Sequence, residues 1–432
     1  MTASVSLSYR PEAVDATRAR WERDDAMARL WRKDPTVWFD PPRPEIDDRL
    51  GWLDLPTSSR ALAPTLERLS SQALAEGVTD IVLCGMGGSS LAPEVFARTL
   101  PVRDGHPRLT VIDTTHPDAV ASVSERTDPT TTWYLVSSKS GGTLETMSLF
   151  RHFWALTRAS VTDPGSHFLA ITDPGSSLEQ LAVERGFREI VLADPNVGGR
   201  YSALSAFGLV PAALIGADVG RLLDAGERAA AACSSGVPLD ANPGFLVGAY
   251  LGSAALEGRP ICHFDATEPA TALPIWIEQL IAESTGKDGR GIVPVDGGTV
   301  PSDATDVVTV ALGASPDASA EVSVAFDDPY DVAGAMVILE VATAVAGEVL
   351  GISGLIGSGR DELPGAVFGA TPRFAGKVLV DKTKVFTGPR DGIEAGMAYV
   401  PAERAAEGLL PRHRVHEHVT LPHLEPVQHR TR

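Results

Sequence analysis

The chain has 432 residues, 44% of them hydrophobic and 22% charged, an ordinary globular composition with room for about two or three domains. Three cysteines, Cys84, Cys233 and Cys262, are too few and too scattered for a disulfide framework, so a reducing cytoplasm is the expected setting. A formal net charge of −19 disfavours nucleic acid and anionic membranes as partners, and the sequence shows neither a leader-like start nor a run of ~20 uninterrupted apolar residues.

The same charge repels anionic metabolites at long range. Any phosphate site must therefore be built locally, from helix N-termini, hydroxyls and a few basic side chains. Along the chain, Val14, Ala19, Trp21, Met27, Leu30 and Trp31 have the spacing of one buried face and predict a helix over 15–35. A proline-rich connector follows at Pro41, Pro42 and Pro44. From residue 78 the pattern becomes strand, turn, helix. Short apolar runs at 81–84, 109–112, 133–136, 168–171 and 190–192 alternate with helical stretches such as 91–100, 144–159 and 178–185. That alternation predicts a parallel sheet covered on both faces. Helices dominate 203–257. A second strand set (260–264, 307–311, 322–325) with helices at 273–284 and 332–349 then predicts a smaller α/β domain.

Four phrases carry chemistry. Gly85-Met86-Gly87-Gly88-Ser89-Ser90 follows an apolar strand and opens a helix. Such a turn lets the backbone approach an anion, although taken alone it reads equally well as a plain strand-to-helix turn. Ser138-Lys139-Ser140-Gly141-Gly142-Thr143 packs three hydroxyls and an ammonium into a helix start, a better phosphate site than a packing element. Asp194-Pro195-Asn196-Val197-Gly198-Gly199-Arg200 ends a turn-rich run on a fixed positive charge; in isolation Arg200 is as readily a surface ion-pair residue. On a helix through Trp276 to Lys287, Gln279 and Glu283 are i, i+4 neighbours, which suits a positioned base, where the bland reading is a solvent-facing glutamate.

Together these blocks, in this order, resemble the signature blocks of the glucose-6-phosphate isomerase family, most closely the branch also found fused to transaldolase. The resemblance covers about residues 10–350. It implies an α/β fold with two sugar-isomerase (SIS), flavodoxin-like, parallel-sheet subdomains, assembled as a homodimer, acting on a phosphosugar without metal or cofactor. By motif, Gly88, Ser89, Ser138, Ser140 and Thr143 would hold the substrate, with Lys139 contributing through its place in the loop. Gly199 and Arg200 would lie beside the reacting carbons, Gln279 would orient substrate, and Glu283 would be the base that shuttles a proton through a cis-enediolate.

The chain also departs from that family. No histidine lies between His263 and His413, where the family has one for ring opening, and the Asn-Pro-Phe-Asp-Gln run expected after residue 350 is absent. Instead Gly351-Ile-Ser-Gly-Leu-Ile-Gly-Ser-Gly-Arg-Asp-Glu-Leu resembles the second nucleotide-binding domain of sugar-importing ABC transporter ATPases. Gly354, Gly359, Arg360 and Asp361 stand at the phosphate-loop positions, with arginine and aspartate where lysine and Ser/Thr are usual, so ATP hydrolysis is not expected. His413, His416 and His418 read as a solvated tail rather than metal ligands. The expected organisation is a helical segment (1–60), two SIS subdomains (61–235 and 236–350) and an ABC-ATPase-like partial nucleotide-binding segment (351–432). Alternatives to the isomerase are a phosphosugar-binding SIS protein without turnover and an ATP-binding transporter component.

Overall fold

A computed structural model describes residues 3–9, 11–38, 48–101, 103–286, 291–314 and 319–350, together with 379–380, 384–385 and 389. Strand β1 (Ser4–Leu7) and helices α1 (Glu12–Arg23), α2 (Ala26–Trp31), α3 (Leu55–Ser58) and α4 (Ala63–Ala75) come first. Then follow β2 (Asp80–Gly85), α5 (Leu91–Thr99), β3 (Arg108–Ile112), α6 (Pro117–Arg126), β4 (Thr132–Ser137), α7 (Leu144–Ser160), β5 (Phe168–Thr172), α8 (Ser177–Arg185) and β6 (Glu189–Leu192). Helices α9 (Ala206–Leu214), α10 (Val219–Ala232) and α11 (Pro243–Leu256) lead to β7 (Ile261–Ala266) and α12 (Leu273–Thr285). Strands β8 (Val293–Asp296), β9 (Val307–Gly313) and β10 (Val322–Ala325) and helix α13 (Val332–Leu350) follow.

The first sheet is parallel throughout, in the order β3-β2-β4-β5-β6. Its central strands are apolar on both faces because both faces are covered. Ile81, Leu83, Trp133, Leu135, Leu169 and Ile171 enter one core, and Val82, Cys84, Tyr134, Val136, Phe168 and Ala170 the other. This strand order is the flavodoxin-like one, and its topological switch lies between β2 and β4, where open α/β sheets bind ligands. The loops after those two strands are the glycine-rich and hydroxyl-rich phrases. In the second sheet, β7, β8, β9 and β10 are parallel in the order β10-β9-β7-β8.

Two features differ from the sequence expectation. The N-terminal segment is not purely helical, since β1 pairs antiparallel with β10 at the edge of the second sheet. The helix expected over 15–35 is two, α1 and α2, broken where Asp25 takes a left-handed backbone with φ of 50°. Indole N–H groups pin this segment to the core: Trp21 Nε1 donates to Glu348 Oε2 at 2.7 Å, Trp31 Nε1 to the Cys233 carbonyl at 2.8 Å, and Trp38 Nε1 to the Ala344 carbonyl at 3.0 Å. Arg20 completes the clamp with a two-pronged ion pair to Glu348.

Helix α13 is the spine of the core, packed against α10, α11 and α12. The stretch Pro329–Val349 is long and apolar enough to cross a bilayer, but 89% of its most apolar window is buried inside the fold. Burial of Glu340 on this helix holds its carboxyl well above the ordinary range. The folded state therefore binds a proton that the unfolded state releases as pH rises past its ordinary value. That contribution to stability is complete in acid and declines toward neutral and basic pH. Glu340→Gln should consequently gain in melting temperature over the parent as pH rises from 5 to 8; an increment that does not vary with pH would assign the buried carboxyl an ordinary ionisation.

The chain divides into two compact units, 1–354 and 355–432. In the second, β11 (Leu379–Val380) pairs antiparallel with β12 (Lys384–Val385). Otherwise the segment expected to resemble a nucleotide-binding domain, with Gly354, Gly359, Arg360, Asp361, His413, His416 and His418, lies outside the described residues.

Candidate active site

The glycine-rich turn leaves the C-terminal end of β2, passes through a short 3-10 turn (Gly87–Ser89) and enters α5. Its glycines are required by what they touch. Gly87 has φ of 53°, and a Cβ there would stand 2.7 Å from Gln279 Nε2. A Cβ on Gly88 would stand 2.1 Å from the Gly199 carbonyl oxygen. The turn is thus wedged between α12 and the loop that carries Arg200. Ser89 is half-buried, and its carbonyl accepts from Ser137 Oγ at 3.3 Å, which joins the β2 loop to the end of β4.

The hydroxyl-rich loop lies between β4 and α7. Ser138 is buried; its Oγ lies 3.0 Å from Thr143 Oγ1 and accepts from the Gly141 amide at 3.1 Å. Ser140 is exposed and accepts from the Gly142 amide at 3.3 Å. From below, Thr172 Oγ1 at the end of β5 donates to the Ser138 carbonyl at 2.7 Å. The loop opens a helix of 17 residues, whose first amides have no intrahelical acceptor and carry the positive end of its dipole. Lys139 does not extend into solvent: its ammonium lies 2.5 Å from Asp173 Oδ2 and 3.0 Å from the Pro195 carbonyl.

The third loop follows β6 and ends in a 3-10 turn, Gly199–Tyr201. Ser202 Oγ donates to the Gly199 carbonyl at 2.6 Å and to the Gly88 carbonyl at 3.3 Å, tying this loop to the glycine-rich turn. Arg200 then reaches α12. Its Nε donates to Ser284 Oγ at 2.6 Å, and a terminal nitrogen lies 3.4 Å from Glu283 Oε2. On α12, Gln279 Nε2 donates to Glu283 Oε1 at 3.3 Å, the i, i+4 contact that helical spacing dictates. Glu283 is half-exposed at 53%, while Gln279 Oε1 is buried and has no partner among the described residues.

Gly88, Gly199, Arg200, Gln279 and Glu283 therefore form one contiguous cluster, and the Ser137–Ser89 link attaches the loop of Ser138, Lys139, Ser140 and Thr143 to it. A carboxylate open to solvent, in contact with an amide and a guanidinium beside a glycine-rich and a hydroxyl-rich loop, can move a proton on carbon while a cation faces the developing oxyanion. Sequence reasoning did not single out three supports. Ser284 accepts from Arg200 and lies 3.3 Å from the Tyr201 hydroxyl. The Tyr201 ring stacks on Trp52, with centroids 4.9 Å apart at 29°, and burial raises its hydroxyl's pKa. Adjacency to Glu283 and Arg200 was a usable signal for Ser284 and Tyr201. Trp52, some 150 residues upstream of its partner, carried none.

The phosphoglucose isomerase family model matches residues 70–313, a span that contains all three loops and α12. A glucose-6-phosphate isomerase of Rubrobacter xylanophilus is 32% identical over 309 residues, 68% of this chain and 68% of that one. One of Symbiobacterium thermophilum is 34% identical over 260 residues, 56% of this chain and 57% of its own length. Among solved structures, hypothetical protein TT0462 from Thermus thermophilus superposes with a TM-score of 0.67 at 24% identity, covering 81% of this chain and 95% of that chain. A glucose-6-phosphate isomerase from Chlamydia trachomatis gives 0.68 at 17% identity, over 85% and 89%. At those identities the two structures share a fold with this chain.

Proposed function

This chain belongs to the phosphoglucose isomerase family, and on that premise we propose that it interconverts glucose 6-phosphate and fructose 6-phosphate. The observation that carries the reading is the Gln279–Glu283–Arg200 cluster, set against the glycine-rich turn. Moving a carbonyl from C1 to C2 removes a proton from one carbon and returns it to the next. Glu283 is the group to carry that proton, and Arg200 the group to face the enediolate oxygen. Gln279 orients the sugar; Gly88, Ser89, Ser138, Ser140 and Thr143 hold its phosphate through amides and hydroxyls, with Gly199 lining the approach. The reaction is redox-neutral within one molecule, so it calls for no cofactor. A cytoplasmic homodimer is the assembly that the family resemblance supports.

The test is isomerisation by purified full-length chain, followed through an NADP-linked dehydrogenase. A phosphosugar-binding role without turnover is the second reading, favoured by the missing Asn-Pro-Phe-Asp-Gln block. Binding of hexose 6-phosphate with no turnover would select it.

Replacing Ser140 and Thr143 together with alanine should weaken hexose 6-phosphate binding by about 1–3 kcal/mol, through lost charge-assisted hydrogen bonds. Calorimetry that finds affinity unchanged would make the loop a helix cap and nothing more.

A further inference from the structure

Lys139 stands in the middle of the hydroxyl-rich loop, where an ammonium invites assignment to the phosphate. Its surroundings argue otherwise. Asp173 Oδ2 lies 2.5 Å from Nζ, and both side chains are largely buried, at 25% and 17% exposure. The other Asp173 oxygen is buried with no partner among the described residues. Swinging the ammonium toward a phosphate would leave the whole carboxylate unpaired, a far larger cost than parting an exposed surface pair. The main chain holds the same arrangement: the Lys139 carbonyl accepts from the Asp173 amide at 3.2 Å and from Thr172 Oγ1 at 3.2 Å.

The second acceptor shows what the strap connects. Nζ donates to the Pro195 carbonyl at 3.0 Å, and the same carbonyl accepts from Arg49 at 2.5 Å. One residue on, the Asn196 carbonyl accepts from the Gly51 amide at 2.9 Å, and Val197 bridges to Leu50. That stretch runs directly into Gly199 and Arg200. We propose that Lys139 is a positioning residue: its ammonium straps the phosphate loop to the Arg200 loop through Asp173 and the Pro195 carbonyl, and does not itself ligate phosphate. The strap thereby fixes where the Arg200 loop lies relative to the phosphate loop, and the role deepens the isomerase reading on which it rests.

Three variants, Lys139→Met, Asp173→Asn and the double, test this against wild type and Lys139→Arg. Strapping predicts that kcat falls about ten- to hundredfold in each single variant, as for a catalytic group displaced by about 1 Å, while KM and the Kd for inorganic phosphate stay nearly constant. The double variant should be no worse than the weaker single, because both remove one connection. Lys139→Arg, which keeps a donor cation, should recover part of kcat. A phosphate ligand would behave oppositely: Lys139→Met would raise the phosphate Kd about tenfold or more, and Asp173→Asn, by freeing the ammonium, would lower it. That pattern overturns the proposal. If wild type turns over no sugar phosphate, the isomerase reading fails separately, and hydrogen exchange decides the strap. Amides at 196–200 should exchange faster in Lys139→Met at unchanged phosphate Kd, and unchanged exchange there overturns it. Should Lys139→Met not fold, Asp173→Asn and Lys139→Arg carry the same comparisons.

Discussion

Glu283→Gln is expected to bind hexose 6-phosphate nearly as wild type does and to lose about 10²–10⁴ in turnover, the range for removal of a general base. The substitution is close to isosteric and keeps a carbonyl oxygen for Gln279 Nε2, now 3.3 Å from Oε1, so α12 has no reason to repack. What disappears is the acceptor for a carbon-bound proton, together with the charge that faces Arg200 across 3.4 Å. Single-turnover rates and exchange of solvent hydrogen into C2 should fall together. Exchange that persists in the variant would move the base to another residue, since no route through an amide sustains it.

Gly88→Ala is expected to cost about 10² in kcat/KM, because the substitution displaces Arg200, proposed above to face the enediolate oxygen, rather than removing it. The added Cβ would lie 2.1 Å from the Gly199 carbonyl oxygen, 2.3 Å from its carbon and 3.0 Å from the Arg200 nitrogen. All three are backbone atoms, so no rotamer change relieves the overlap and one loop must retreat. Arg200 then leaves the face of Glu283, and overpacking lowers stability by about 1–3 kcal/mol. Gly236→Ala is the control, as its Cβ would meet nothing nearer than Ser234 Oγ at 3.9 Å and lies outside the site. Full activity in Gly88→Ala, with Gly236→Ala also unchanged, would mean that the loops do not have to be this close for catalysis.

The parts of the molecule legible without coordinates are those encoded over short distances. The unbroken apolar runs of β2, β4 and β5 announced a sheet buried on both faces, because only such a strand can afford no polar side. Glycine and hydroxyl clusters directly after two of those strands marked turns that open helices, and the turns after β2 and β4 do lead into α5 and α7. Gln279 and Glu283 were paired by helical repeat alone, and their side chains do meet.

Relations between loops were decided only by the tertiary structure. Nothing local tells that Gly88 must lack a side chain because the Gly199 carbonyl is behind it, or that the Lys139 ammonium is satisfied by Asp173 and Pro195. The same holds for the Trp52 stack that supports Tyr201, and for β1 pairing with β10, far along the chain from it. Periodicity and turn chemistry act within a few residues and so can be read along the chain. Which loop ends come to lie side by side depends on strand order and on how buried faces pack, and those are settled by the fold as a whole.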